Sequence, residues 1–203
     1  MKKTIIFLCA IFLGQPVFSA FAANVVTGIQ GKPVIIQNGE EKPAEMGMEI
    51  QKGDILKTNE LCQLDVSLNG GAGVRILASS EADLKEVAAE NTRIDLKVGN
   101  LIANLKKKIP QGSKFEVETP AAVLAVRGTQ FWGQVTEDAQ SKTTFAVREG
   151  VLNITSKADS QVYTLEAGQA IELPLNEKNP HLRKAAEKEL AAIATCEQIK
   201  IQE

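Results

Sequence analysis

A single histidine, His181, three cysteines, Cys9, Cys62 and Cys196, and scattered carboxylates are the residues of this 203-residue chain with the types that catalysis or metal binding would use. Their spacing assembles no site. Thiol catalysis needs a base assignable to the cysteine, and a metal needs Cys and His ligands at short intervals; neither pattern is present. Glu40 and Glu41 fall in a polar stretch where charge is solvated. Lys106-Lys107-Lys108 precedes Pro110 and Gly112, the composition of a hairpin tip, with Glu116 and Glu118 following and no aromatic residues interleaved for base stacking. Gly70-Gly71-Ala72-Gly73 lacks the lysine and helix that make a phosphate loop. These residues predict a protein that is not an enzyme and carries no metal or cofactor.

Charge narrows the partners further. With 23 Lys+Arg against 25 Asp+Glu, a formal net charge of −2, the chain has no field that would draw it onto nucleic acid. Lys2 and Lys3, the apolar run Ile5 to Leu13, Pro16 and the small-residue signal Ala20-Phe21-Ala22 read as a secretory signal peptide over residues 1–22, cleaved near Ala22. Cys9 leaves with it. The mature protein is then periplasmic or secreted, with no stable membrane insertion. Four of the seven Phe depart with the leader, so the aromatic residues left are Phe115, Phe131, Trp132, Phe145 and Tyr163, and the core must be largely aliphatic.

The elements that position these residues are strands. Leu64, Val66 and Leu68, then Ile94, Leu96 and Val98, then Phe115 and Val117, then Phe145 and Val147 alternate with period two, so one face of each run enters a core. An apolar residue three before a glycine and another two after it recur at Gly53, Gly99, Gly150 and Gly168, each read as a turn that favours positive φ. Their unequal intervals do not support a strict repeat. The prediction is an all-β, irregular, twisted, partly solenoid-like antiparallel domain over residues 23–175, of ten to twelve strands. Ser80 to Asn91 is read as a loop or poor strand. Residues 176–203 are read as one C-terminal α-helix docked on that domain. Asn179 caps it, Pro180 opens it, and Leu182, Ala186, Leu190, Ile193 and Cys196 share its apolar stripe to Lys200.

Phe115 to Phe131, FEVETPAAVLAVRGTQF, holds two punctuation points. Pro120 suits a strand corner and pushes Thr119 to extended geometry, while Gly128 permits a turn that places Arg127 and Thr129 near backbone. Arg127 is expected to fork onto carbonyls or a carboxylate across that turn. Thr119-Pro120, Ala122, Val126-Arg127-Gly128-Thr129 and Phe131 resemble the signature of the FecR domain family. Gly53-Asp54 with Thr58, Gly99 with Leu101, Glu149-Gly150-Val151 and Gly168-Gln169 resemble its turns, in order, over roughly residues 25 to 173. The resemblance implies a periplasmic β domain that acts by protein contact. Regulators of that family add a cytoplasmic domain and a membrane helix, so this chain reads as a secreted stand-alone relative, a protein-interaction or signalling accessory module with an envelope protein as partner. The alternative is a structural module that binds cell-wall carbohydrate, for which Trp132, on the strand face opposite Phe131, is the platform.

Cys62 and Cys196 remain after processing, in a compartment where disulfides persist. A bridge between them would close a long loop, for which chain entropy gives roughly 4 to 5 kcal/mol. Two unrelated buried thiols are the other reading, and both stay open.

Overall fold

The structure is a computed structural model that describes residues 24–202 apart from 70, 89, 106–112, 138–140 and 176–177. The proposed leader, Cys9, Gly70, the lysine run 106–108, Pro110 and Gly112 lie outside the described residues. Fourteen strands follow one another: β1 (Val25–Gln30), β2 (Val34–Gln37), β3 (Glu40–Pro43), β4 (Ile55–Thr58), β5 (Gln63–Leu68), β6 (Ala72–Ile76) and β7 (Ser80–Ala88). Then come β8 (Asn91–Leu105), β9 (Lys114–Glu118), β10 (Ala122–Val135), β11 (Lys142–Ser156), β12 (Val162–Glu166), β13 (Gln169–Pro174) and β14 (His181–Lys184), before the helix α1 (Glu187–Ala194) and a 3-10 turn, Thr195–Gln198.

The pairings resolve this one connected sheet into two layers. The first runs β3-β2-β4-β7, the front half of β8, β9, the front half of β10, the back half of β11, and β12. The second runs β1-β5-β6, the back halves of β8 and β10, the front half of β11, β13 and β14. Three long strands therefore pass from one layer to the other, and each bends at a glycine with positive φ: Gly99 in β8 (φ 90°), Gly128 in β10 (φ 59°) and Gly150 in β11 (φ 87°). At Gly99 a Cβ would stand 2.4 Å from the Ser79 carbonyl oxygen, and at Gly150 one would stand 2.7 Å from that of Gly128. The corners stack backbone on backbone, which only a residue without a side chain allows.

Between the layers lies one apolar cluster. Leu84, Ile94, Leu96, Val117, Leu124, Ile154 and Leu165 face it from the first layer; Val66, Val74, Ile76, Leu101, Phe131, Phe145 and Ile171 face it from the second. All fourteen are fully buried. The period-two runs in the sequence are thus the inner faces of a sandwich.

Three expectations are corrected. Ser80–Ala88 is a full strand: Ser80, Ala82 and Leu84 point inward and are buried, while Lys85 is exposed. Sheet context there overrides the helical leaning of its residues. The sheet is antiparallel except for β8 with β9, which are parallel. The C-terminal helix starts seven residues later than Pro180, at Glu187, because His181–Lys184 extends the second layer beside β13 instead. Ladder hydrogen bonds along that edge outweigh a helical start. Leu182 accordingly leaves the predicted stripe and is 54% exposed, while Ile193 and Cys196 are fully buried.

Candidate functional site

The Thr119–Phe131 segment builds corners. Thr119, fully buried, ends β9 by accepting the Ala122 N–H on Oγ1 at 3.1 Å and donating its own N–H to the Ala122 carbonyl at 2.9 Å; Pro120 sits exposed at the tip. Thr143 of the opposite layer donates to Thr119 Oγ1 at 3.2 Å. Thr129, 1% exposed, donates from Oγ1 to the carbonyls of Arg127 and Val151, each at 3.0 Å, tying the β10 corner to the β11 corner beside Gly150. Ala122, Val126 and Phe131 fill the core. The expected fork of Arg127 is not formed: the residue is exposed, and its guanidinium reaches no described acceptor. Thr129 makes the cross-corner contacts in its place, with a hydroxyl short enough to stay inside the bend.

The earlier turn works in the same way. Gly53 (φ 90°) donates its N–H to the Leu84 carbonyl, and the buried Asp54 accepts from the Gln51 N–H and the Gln37 side-chain amide, each at 2.8 Å. Thr58 accepts the Ser80 N–H at 3.0 Å. Gly168 (φ 82°) turns the chain from β12 to β13. Cys62 and Cys196 are buried and unbonded. Cys62 accepts the Lys32 N–H on Sγ at 3.0 Å, whereas Cys196 belongs to the C-terminal segment and faces the sheet, where burial pushes its thiol up to about 11.

The two outer faces differ. Across the second layer, the register aligns Gly28, Asp65, Arg75, Ile102, Trp132, Ala146, Ala170 and Arg183 in a single row over eight strands. Residues 185–202 cover that row. Ile193, Cys196 and Ile199 pack on Ile102, Ala146 and Ala170 in a second apolar cluster, with Trp132 and Leu190 at its margin. Three arginines fasten the cover. Arg75 grips Asp65 with two hydrogen bonds of 2.7 Å and donates to the Thr195 carbonyl at 3.2 Å; Arg148 reaches Glu197 at 2.6 Å; Arg183 bridges Glu172 at 3.0 Å and Glu189 at 2.6 Å. Glu189 in turn accepts the Ala186 N–H at 2.7 Å, capping α1. The Arg183 guanidinium holds the Glu189 carboxyl below the usual carboxylate range, and Lys142 does the same for Glu172. None of these arginines stands out in the sequence. The available signal was an Asp and an Arg at outward positions of adjacent alternating strands.

Among the described residues, no segment covers the outer face of the first layer. Its centre is a row of cross-strand and same-strand ion pairs: Lys57–Glu81, Lys85–Asp83, Lys97–Asp95, Arg93–Glu116 and Lys157–Glu118. At the β10–β12 end these give way to exposed Ala125, Arg127, Val151, Asn153, Val162 and Thr164. The edges also differ. The free side of β1 is occupied by the 47–50 loop, through the Val26 N–H to the Met48 carbonyl at 3.0 Å and the Gly47 N–H to the Val26 carbonyl at 2.9 Å. β3 is EEKP and β14 is HLRK, charged edges of the kind that resist pairing. β12, VYTLE, pairs β11 on one side and keeps neutral, β-branched Val162 and Thr164 exposed.

Where α1 begins, a groove of about 660 Å³ opens between it and β10, β11, β13 and β14, floored by Trp132, Gln134 and Thr144 and rimmed by Lys184 and Lys188. Trp132 does point away from Phe131, as its position dictates, and is half-buried there. Among the described residues, no group of three or more His, Cys, Asp or Glu is placed to hold a metal ion, and no helix is long and apolar enough to cross a membrane.

A two-layer β domain whose long strands bend at glycine corners is the class of protein these features define. Residues 54–153 match the family described as FecR protein, and the chain carries a FecR-family domain over that span. Two crystal structures of a protein of Parabacteroides distasonis, assigned provisionally as an anti-sigma factor and solved at 2.50 and 1.65 Å, share the fold, each with a TM-score of 0.59 at 17% identity over 70% of this chain. The chain spans 64% of the length of those structures. No curated protein matches it.

Proposed function

We propose that the chain is exported, its leader removed near Ala22, and that it works as a non-catalytic FecR-domain module that docks with another protein of the cell envelope as an accessory to signalling. The family match and the fold shared with an anti-sigma-type protein support a signalling context. The observation that carries the contact is β12. Of the four sheet edges among the described residues, two are charged and one is covered by a loop, while β12 pairs with no strand on its outer side, where Gln169 takes the Glu166 N–H at 2.8 Å, and is flanked by Val162, 64% exposed, and Val151, 45% exposed, on the neighbouring strand. An extended segment of a partner can add to such an edge, with backbone hydrogen bonds giving affinity and the valines an apolar contact. Arg127 and Val151 share a row with Glu166, the exposed edge residue of β12, so a basic side chain on the partner opposite Glu166 would set the register.

A photo-crosslinking residue placed at Val162 or Thr164, in cells carrying the full chain, tests this. The expected result is a discrete protein adduct from these positions and none from Lys85, which is exposed on the same layer. Equal labelling from all three positions, or no protein adduct from β12, would refute the docking edge. Intact-mass measurement of the recovered protein tests removal of residues 1–22.

A further inference from the structure

The groove at the start of α1 lies in the second layer, away from the β12 edge, and its chemistry does not depend on the protein-contact reading. We propose that it binds a carboxylate-bearing saccharide, the indole of Trp132 taking a sugar face, Gln134 and Thr144 taking hydroxyl groups, and Lys184 and Lys188 taking the carboxylate.

Its volume of about 660 Å³ falls within the size range of ligand pockets, and its mouth is open to solvent. The floor is built by register, not by chance proximity: Asn100, Gln134, Thr144, Glu172 and His181 stand opposite one another across five strands, one row from Trp132. Among the described residues, the Trp132 indole N–H, the Gln134 amide and the Thr144 hydroxyl have no hydrogen-bond partner, although Thr144 is 3% exposed. Donors and acceptors left free on a concave, half-apolar floor are the groups a polyhydroxylated ligand satisfies.

Charge selects within that class. Lys142 and Arg183 both bind Glu172, at 3.0 Å each, and Arg183 also binds Glu189, so these four charges are internally matched. Lys184 and Lys188 form no ion pair with a described residue, and the groove lining carries four basic side chains against the two carboxylates of Glu172 and Glu189. A densely charged polyphosphate would meet the carboxylates of Glu172 and Glu189 in the walls. A sugar with one carboxylate per unit meets aromatic floor, polar row and cationic rim together.

The full chain can be titrated with a uronic-acid trisaccharide, an N-acetylated disaccharide carrying a lactyl ether, and a neutral glucose trisaccharide. Trp132, the single tryptophan of the chain, provides the fluorescence signal, and calorimetry is run beside it. Saturable binding of at least one acidic probe is expected, about tenfold or more tighter than the neutral one. Which acidic probe binds distinguishes a uronate from a lactyl source. The double variant K184Q/K188Q, both side chains exposed, should keep the unfolding midpoint and lose that preference. Thr144→Val should weaken acidic and neutral probes alike. The proposal fails if neither acidic probe saturates, if the neutral trisaccharide binds as tightly, or if K184Q/K188Q binds the acidic probes unchanged.

Discussion

Replacing Arg75 with Met tests how the C-terminal cover is held. The Arg75 and Asp65 side chains are 7% and 9% exposed, and two 2.7 Å hydrogen bonds join them. Removing the arginine strands a buried carboxylate, which typically costs ~3–5 kcal/mol, and also loses the contact to the Thr195 carbonyl. For a chain of this length that cost lowers the thermal midpoint by about 6–20 °C. The companion change Asp65→Leu alone leaves the guanidinium buried and unpaired, and should cost a similar amount. Both changes together remove the pair, so the double variant should lie within about 1–2 kcal/mol of the parent, the residue being the lost Thr195 hydrogen bond. Urea unfolding of the four proteins measures the cycle, and alkylation of Cys196, fully buried on the sheet-facing side of the cover, reports whether residues 185–202 have lifted. A cost below about 1 kcal/mol for Arg75→Met, or a double variant as unstable as the sum of the singles, would refute the reading that this pair anchors the cover.

Gly99→Ala forces a Cβ to 2.4 Å from the Ser79 carbonyl oxygen at φ 90°, and should lower stability by about 2 kcal/mol or more, read by urea unfolding. Arg127→Ala, at an exposed side chain without a described partner, should shift stability by no more than about 0.5 kcal/mol; a larger loss would restore the cross-corner role expected from the sequence. The Glu189 and Glu172 carboxyls, held down by Arg183 and by Lys142, contribute stability that is fully present above the ordinary carboxylate pKa of about 4.3 and is lost as pH falls through their lower folded values. Trp132 fluorescence should therefore stay constant from neutral pH to about pH 4 and change below it, at a higher pH in Arg183→Gln than in the parent.

Inner faces were legible in the sequence because burial writes period two directly: Leu64, Val66 and Leu68, or Ile94 and Leu96, all reach the core. The glycine turns were legible too, since positive φ leaves few alternatives to glycine, and Gly53, Gly99, Gly150 and Gly168 all adopt it. What those turns do was not legible. Gly99 and Gly150 bend continuous strands between layers rather than ending them, and nothing local separates a hairpin from a corner. Arg127 drew attention as an arginine beside a turn, but the bend closes through the Thr129 hydroxyl, a smaller group with no visible periodicity. Asp65 and Arg75 were invisible because their pairing is set by strand order, which alternation does not encode. The C-terminal helix was misplaced at its start because Asn179-Pro180 is a strong local helix signal, and the open edge of β13 is a non-local competitor.

The extent of the folding unit follows from the same register. The family match ends at residue 153, yet Leu165, Ile171 and Leu173 are buried in the main core, as are Val26 and Ile35 before residue 54. A fragment cut at 54–153 would leave the edge of β11 unpaired where β12 and β13 now lie, and would strip the second layer of the cover that Arg75 and Arg148 hold. The corners belong to the matched segment, while the elements that seal both sides of it come from outside. Sequence constraint at the glycine corners is therefore sharp, because backbone stacks on backbone there. Elsewhere the sealing elements need only present apolar residues at the right period, so the strands beyond residue 153 can differ widely in sequence while closing the same core.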